Sequence, residues 1–162
     1  MCIRDRPNAC PVCGPKLTLT DNKGNVIAGD AIAGTLKVIL TGGIAAVKGL
    51  GGFHLVCDAR NSRAVTRLRE RKGRSEKPLA VMCANTESAS ELVRLSAAGV
   101  KALTSVARPI VLAPKTDAAD RLLAPGVAGG FSEVGVMLPY TPVHLLLFHE
   151  YLGQPETDLA FE

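Results

Sequence analysis

The chain has 162 residues, 47% of them hydrophobic and 21% charged, with a formal net charge of +4. These proportions fit one globular domain and exclude a disordered tail or a low-complexity linker. No run of 18 apolar residues is present to cross a membrane and the first residues lack the apolar stretch of a secretory signal, so the cytoplasm is the expected compartment.

Residues 7–25 are rich in proline and glycine and stand apart from the expected main core. Asp30 is placed to cap a helix with apolar spacing at Ile32, Leu36, Ile39 and Leu40, ending at Gly42-Gly43. Ile44–Val47 reads as a short buried strand, followed by the glycine turn 49–52 and a second strand at Phe53–Cys57. Asn61 or Ser62 caps a helix to about Arg71, with Val65 and Leu68 inward. Leu79–Cys83 is another buried strand. Thr86 and Ser96 open two further helical stretches, Ile110–Leu112 and Val134–Leu138 complete the strands, and Thr141-Pro142 begins a helix through Leu152. Strands and helices alternate, which predicts an α/β domain. Sixteen glycines, ten prolines and six aromatic residues add tight turns and an aliphatic core.

The charge is concentrated. Residues 60–77 hold eight cations against Glu70 and Glu76, so this stretch carries more positive charge than the whole chain. A solvated helix face accounts for its first half as well as a binding role does. In its second half, glycine and proline end the helix, so Lys72, Arg74 and Lys77 leave on a short loop where they can converge on an anion.

Two motifs carry chemistry. Cys10-Pro-Val-Cys13-Gly is a two-thiol knuckle spaced for one tetrahedral metal, half of a zinc site without a second pair. Cys57 and Cys83 lie in apolar strands, where a small buried hydrophobe is the expected role; with Cys2 they complete an odd set of five, read as reduced. Lys48 ends a buried strand, and Gly49, Gly51 and Gly52 follow it. This is not a P-loop, but joined to the cations at 72–77 it suits a triphosphate or an acyl phosphate. His54 and Asp58 flank the second strand, with packing or capping roles as open as catalytic ones.

Taken in order, the segments 10–15, 46–59 (AVKGLGGFHLVCDA), 68–82 (LRERKGRSEKPLAVM), 108–112 (RPIVL) and 134–144 (VGVMLPYTPVH) resemble the HypF carbamoyltransferases of hydrogenase maturation. The resemblance covers about residues 7–153: a zinc-finger remnant at 7–25 and a YrdC-like domain at 26–153, truncated at its end, with 1–6 and 154–162 outside the pattern. It implies a twisted open mixed sheet with flanking helices, preceded by a partial zinc-finger segment. It also implies that this domain makes carbamoyl adenylate from carbamoyl phosphate, by way of carbamate, and ATP with magnesium. The carbamoyl group then passes to a cysteine of the partner HypE and becomes a cyanide ligand of the NiFe centre. Lys48, Lys72, Arg74 and Lys77 would neutralise the phosphates, the glycines at 49, 51 and 52 would line the nucleotide site, and Tyr140 and Thr141 would lie near the adenylate; Cys10 and Cys13 would be the zinc half-site. Arg108 either reaches a phosphate or pairs with a carboxylate.

Two alternatives stand beside this reading. One is a free-standing threonylcarbamoyl-adenylate synthase for tRNA modification, which would lack the cysteine knuckle. The other is a weak, non-specific double-stranded RNA binder using the basic stretch, against which stands the absence of aromatic residues in 60–77.

Overall fold

A computed structural model describes residues 14–73 and 77–152. Cys10, Cys13 and Arg74, together with the chain end at 153–162, lie outside the described residues. Residues 14–29 contribute to neither core. Their one ordered device is a turn in which Asp21 Oδ1 accepts from the amides of Lys23 and Asn25 at 2.8 and 2.9 Å, closed by a bridge between Thr20 and Val26.

Helix α1 (Ala31–Leu40) starts where Asp30 accepts from the Ala33 amide, satisfying one of the amides a helix start leaves free. Strands β1 (Ala45–Lys48) and β2 (Phe53–Val56) form an antiparallel hairpin with Lys48 opposite Phe53 and Val47 opposite His54. Helix α2 (Ser62–Lys72) is capped by Asn61 and ends at Gly73, whose φ of 57° is the left-handed cap that glycine adopts without strain. Strand β3 (Val81–Met82), helices α3 (Thr86–Leu92) and α4 (Ala97–Thr104), strand β4 (Val111–Pro114), the single-turn helices α5 (Ala119–Leu122) and α6 (Pro125–Ala128), strand β5 (Glu133–Met137) and helix α7 (Pro142–Leu152) complete the described chain.

The sheet is mixed, as expected, but among the described residues it is divided. One part is the β1–β2 hairpin. The other has the order β3-β5-β4, with β3 parallel and β4 antiparallel to β5. Val134, Gly135, Val136 and Met137 are all buried, the pattern of a central strand covered on both faces. Two hydrophobic cores follow from this division. Val65, Val81, Leu92, Val93, Leu103, Val127, Val134 and Val136 belong to the larger. The smaller joins Ala45 and Val47 of the hairpin to Leu147 of α7, with Ile32, Leu36 and Ile39 of α1 packed against it.

Every expected helix and strand is present, with some limits moved. The expected strand at Leu79–Cys83 shortens to two residues because the Leu79 amide turns away to the Val127 carbonyl. Helices α5 and α6 had no counterpart in the reading of the sequence, since one turn is too short to show a period.

Candidate functional site

The turn after β1 is tight, and its glycines do more than keep the backbone open. The Gly49 amide donates to the Gly52 carbonyl at 2.7 Å, so it serves the turn and is not free for an anion. Gly49 is also buried against two side chains: a Cβ there would lie 2.8 Å from His54 Cδ2 and 2.9 Å from both His54 Nε2 and Tyr140 Oη. Only a residue without a side chain fits. Gly51 and Gly52 face open space. Lys48 is exposed, and its Nζ lies 5.0 Å from the centre of the Phe53 ring, the neighbour that the hairpin register gives it.

Tyr140 follows β5 by three residues and bonds through its hydroxyl to His54 Nε2. Their ring centres are 5.6 Å apart, and the ring of His144, in the first turn of α7, lies 4.8 Å from Tyr140 and 5.6 Å from His54. His144 is 1% exposed, and neither of its ring nitrogens has a hydrogen-bond partner among the described residues. Burial, with a smaller contribution from the neighbouring His54, holds its pKa below the ordinary imidazole value. It is therefore neutral at pH 7. Thr141 is buried and has a local role: its Oγ1 accepts from the His144 amide at 3.4 Å, as the residue before a proline-led helix does.

The structure thus brings together Gly49, Tyr140 and Thr141 of the expected site and adds His54 and His144, whereas Lys48 pairs with Phe53 on the hairpin face opposite to His54. Arg108 belongs to the same edge of the sheet, because Val111 of β4 lies opposite Val136 of β5, so the residues before β4 and those after β5 leave side by side. Arg108 pairs with no carboxylate among the described residues, and its φ of 43° is a left-handed conformation that costs a non-glycine residue about 1 kcal/mol or more.

Lys72 and Lys77 are exposed and form no ion pair among the described residues. Among the described residues no hydrogen bond or ion pair joins them to the cluster around Tyr140. Lys77 precedes β3, at the end of the sheet where β5 begins, and its segment is tied to α6 through the Leu79 amide and through Arg69, whose guanidinium reaches the Gly126 carbonyl. Two clefts lie elsewhere: about 350 Å³ along α2 between Arg63 and Glu70, and about 230 Å³ between Lys115 and Gly129.

Of the two described cysteines, both free, Cys83 is buried as expected and Cys57 is half-buried. Burial pushes the Cys83 thiol up to about 11 and, with the nearby Asp58 charge, raises that of Cys57. Among the described residues no group of three His, Cys, Asp or Glu side chains is arranged for a metal, and no helix is long and apolar enough to cross a membrane. Asp58 is structural: it bonds Arg60 at 3.0 Å, and Arg60 reaches on to the Tyr151 hydroxyl at 3.2 Å. Burial pushes the Asp58 carboxyl up, but the bonds and charge of Arg60 outweigh it and leave the carboxyl below its ordinary value.

The Sua5, YciO and YrdC family, described as telomere recombination, matches residues 37–160. The carbamoyltransferase HypF2 of Cupriavidus necator is 52% identical over 78% of this chain, and the carbamoyltransferase HypF of Rhodobacter capsulatus 49% identical over 91%. The chain spans 16% and 19% of their lengths. A crystal structure of full-length HypF in a phosphate- and nucleotide-bound form superposes on 89% of this chain and 18% of its own, with a TM-score of 0.77 and 39% identity.

Proposed function

The chain belongs to the Sua5, YciO and YrdC family in the form carried by HypF carbamoyltransferases, and on that premise we propose that it forms carbamoyl adenylate within such an enzyme. The observation that carries this reading is the match along nine-tenths of the chain to a HypF solved with phosphate and nucleotide. Hydrolysis of carbamoyl phosphate by water releases inorganic phosphate and supplies carbamate, whose oxygen attacks the α-phosphorus of ATP as pyrophosphate departs. Carbamate is itself the nucleophile, so no serine or cysteine has to be activated; the protein's work is to hold the reactants and neutralise charge.

Lys48, Lys72, Arg74 and Lys77 are the residues assigned to the phosphates. The first, second and fourth are exposed and free of carboxylate partners, which suits cations kept for a ligand. Magnesium bound with the ATP would share the neutralisation. HypE as acceptor, the cytoplasm, and zinc on Cys10 and Cys13 completed by ligands beyond this chain belong to the same proposal. Neither alternative gains support, since the curated relatives matched at 39–52% identity are carbamoyltransferases.

The test is carbamoyl-phosphate-dependent exchange between ATP and pyrophosphate in the full-length enzyme. Lys72→Ala or Lys77→Ala should slow exchange about 100-fold or more, as losing one preorganised charge does. Wild-type exchange rates in both variants would remove the loop from the site.

A further inference from the structure

Tyr140 and His54 come from sequence positions 86 apart and meet flush against Gly49. A phenol O–H is a better donor than an imidazole N–H, and an imidazole nitrogen is the better acceptor, so Tyr140 donates to His54 Nε2. With that proton committed, the phenol oxygen has only lone pairs left to offer. It can read a donor and repels an acceptor. His144 backs the pair from α7, its two unpartnered nitrogens buried in the same cluster. Buried polar atoms without partners are costly, and native structures keep them where a ligand or an ordered water meets them.

Resting on the adenylate reading above, we propose that Tyr140, held by His54 and backed by His144, recognises the amino group of the carbamoyl unit, whose N–H donates to the phenol oxygen. That amino group is the one donor at this end of the molecule; the phosphates carry only acceptors and fall to the cations. Tyr140 is then a specificity-determining residue and His54 a positioning residue.

The experiment compares two stable acyl-adenylate mimics, carbamoyl-sulfamoyl adenosine and acetyl-sulfamoyl adenosine, which differ by an amino group against a methyl of nearly the same size. Each is used to inhibit carbamoyl-phosphate-dependent ATP–pyrophosphate exchange by the full-length enzyme. The wild type should favour the carbamoyl mimic by about tenfold, the worth of one well-placed hydrogen bond. Tyr140→Phe keeps the ring and should bring the two inhibition constants within about twofold. His54→Phe frees the phenol to turn its proton toward the ligand and should narrow the ratio as well. General damage to the fold would weaken both mimics alike and leave the ratio standing. An unchanged preference in Tyr140→Phe overturns this inference and leaves the adenylate reading intact, whereas a wild-type enzyme with no such exchange overturns both.

Discussion

At Gly49 a single missing side chain decides whether the hairpin can close on Tyr140. Gly49→Ala would drive a methyl to within 2.9 Å of His54 and the phenol oxygen, and relieving it must shift either the hairpin or the Tyr140 segment. The expected cost is about 1–3 kcal/mol in chemical denaturation, and a variant as stable as the wild type would show that the close approach is absent. His144 makes a second prediction, with its sign fixed by burial. Its folded pKa lies below the ordinary 6.5, so as pH falls the unfolded chain binds the proton first. The stability that neutral His144 permits is therefore full above about pH 6.5 and is lost below it, at up to ~1.4 kcal/mol per pH unit until the folded pKa is reached. The facing titratable groups are His54 and Tyr140. His144→Phe should flatten the profile of urea midpoint against pH between 7 and 5; an undiminished slope would assign the acid loss to other groups. The sequence left His54 between packing, capping and catalytic roles and did not single out His144. Tyr140 and Thr141 stand in a compact Pro-Tyr-Thr-Pro turn, whereas the meeting of His54 with His144 depends on how the hairpin packs on α7, which no local pattern encodes. The available signal was a histidine inside an otherwise apolar helical run, at 143–147.

Among the elements, those whose limits were written locally were read well. Asp30, Asn61 and Ser96 each accept an amide three residues on, and each was recognised by its residue type and the apolar spacing after it. The division of the sheet was less legible, because which strand pairs with which depends on contacts across the whole chain. The hairpin shows what that division demands. Two strands alone are marginal in water, so β1 and β2 depend on the side they bury. That side is Ala45 and Val47 against Leu147, while Phe53 is 67% and Leu55 41% exposed on the other. Leu147→Ala should cost about 2–5 kcal/mol, as large-to-small changes in a core do, and should loosen the hairpin before the β3-β5-β4 sheet. The check is thermal unfolding followed by amide exchange on β1 and β5; a loss spread evenly over both would deny that Leu147 is the hairpin's own support.

Across the whole molecule the two cores are unequal, and the candidate site lies where they meet. Lys48, Gly49 and His54 belong to the hairpin side. Tyr140 leaves the end of β5, the central strand of the larger core, and Thr141 and His144 begin the helix that crosses to the smaller one. Local opening is governed by the apolar area each unit buries, so the hairpin should exchange its amides at a lower free energy than β5. A ligand that touches both sides, as the proposed adenylate would, binds only the closed arrangement and must raise the protection of the hairpin. Measured by hydrogen exchange in the full-length enzyme, a saturating carbamoyl-sulfamoyl adenosine mimic is expected to slow exchange at Ala46–Lys48 and Phe53–Leu55 by about 100-fold at a concentration 100 times its Kd, with little change at Val134–Val136. Protection that rose only in the β3-β5-β4 sheet would place the ligand on one core alone, and the role given to Gly49, His54 and Tyr140 together would fail with it.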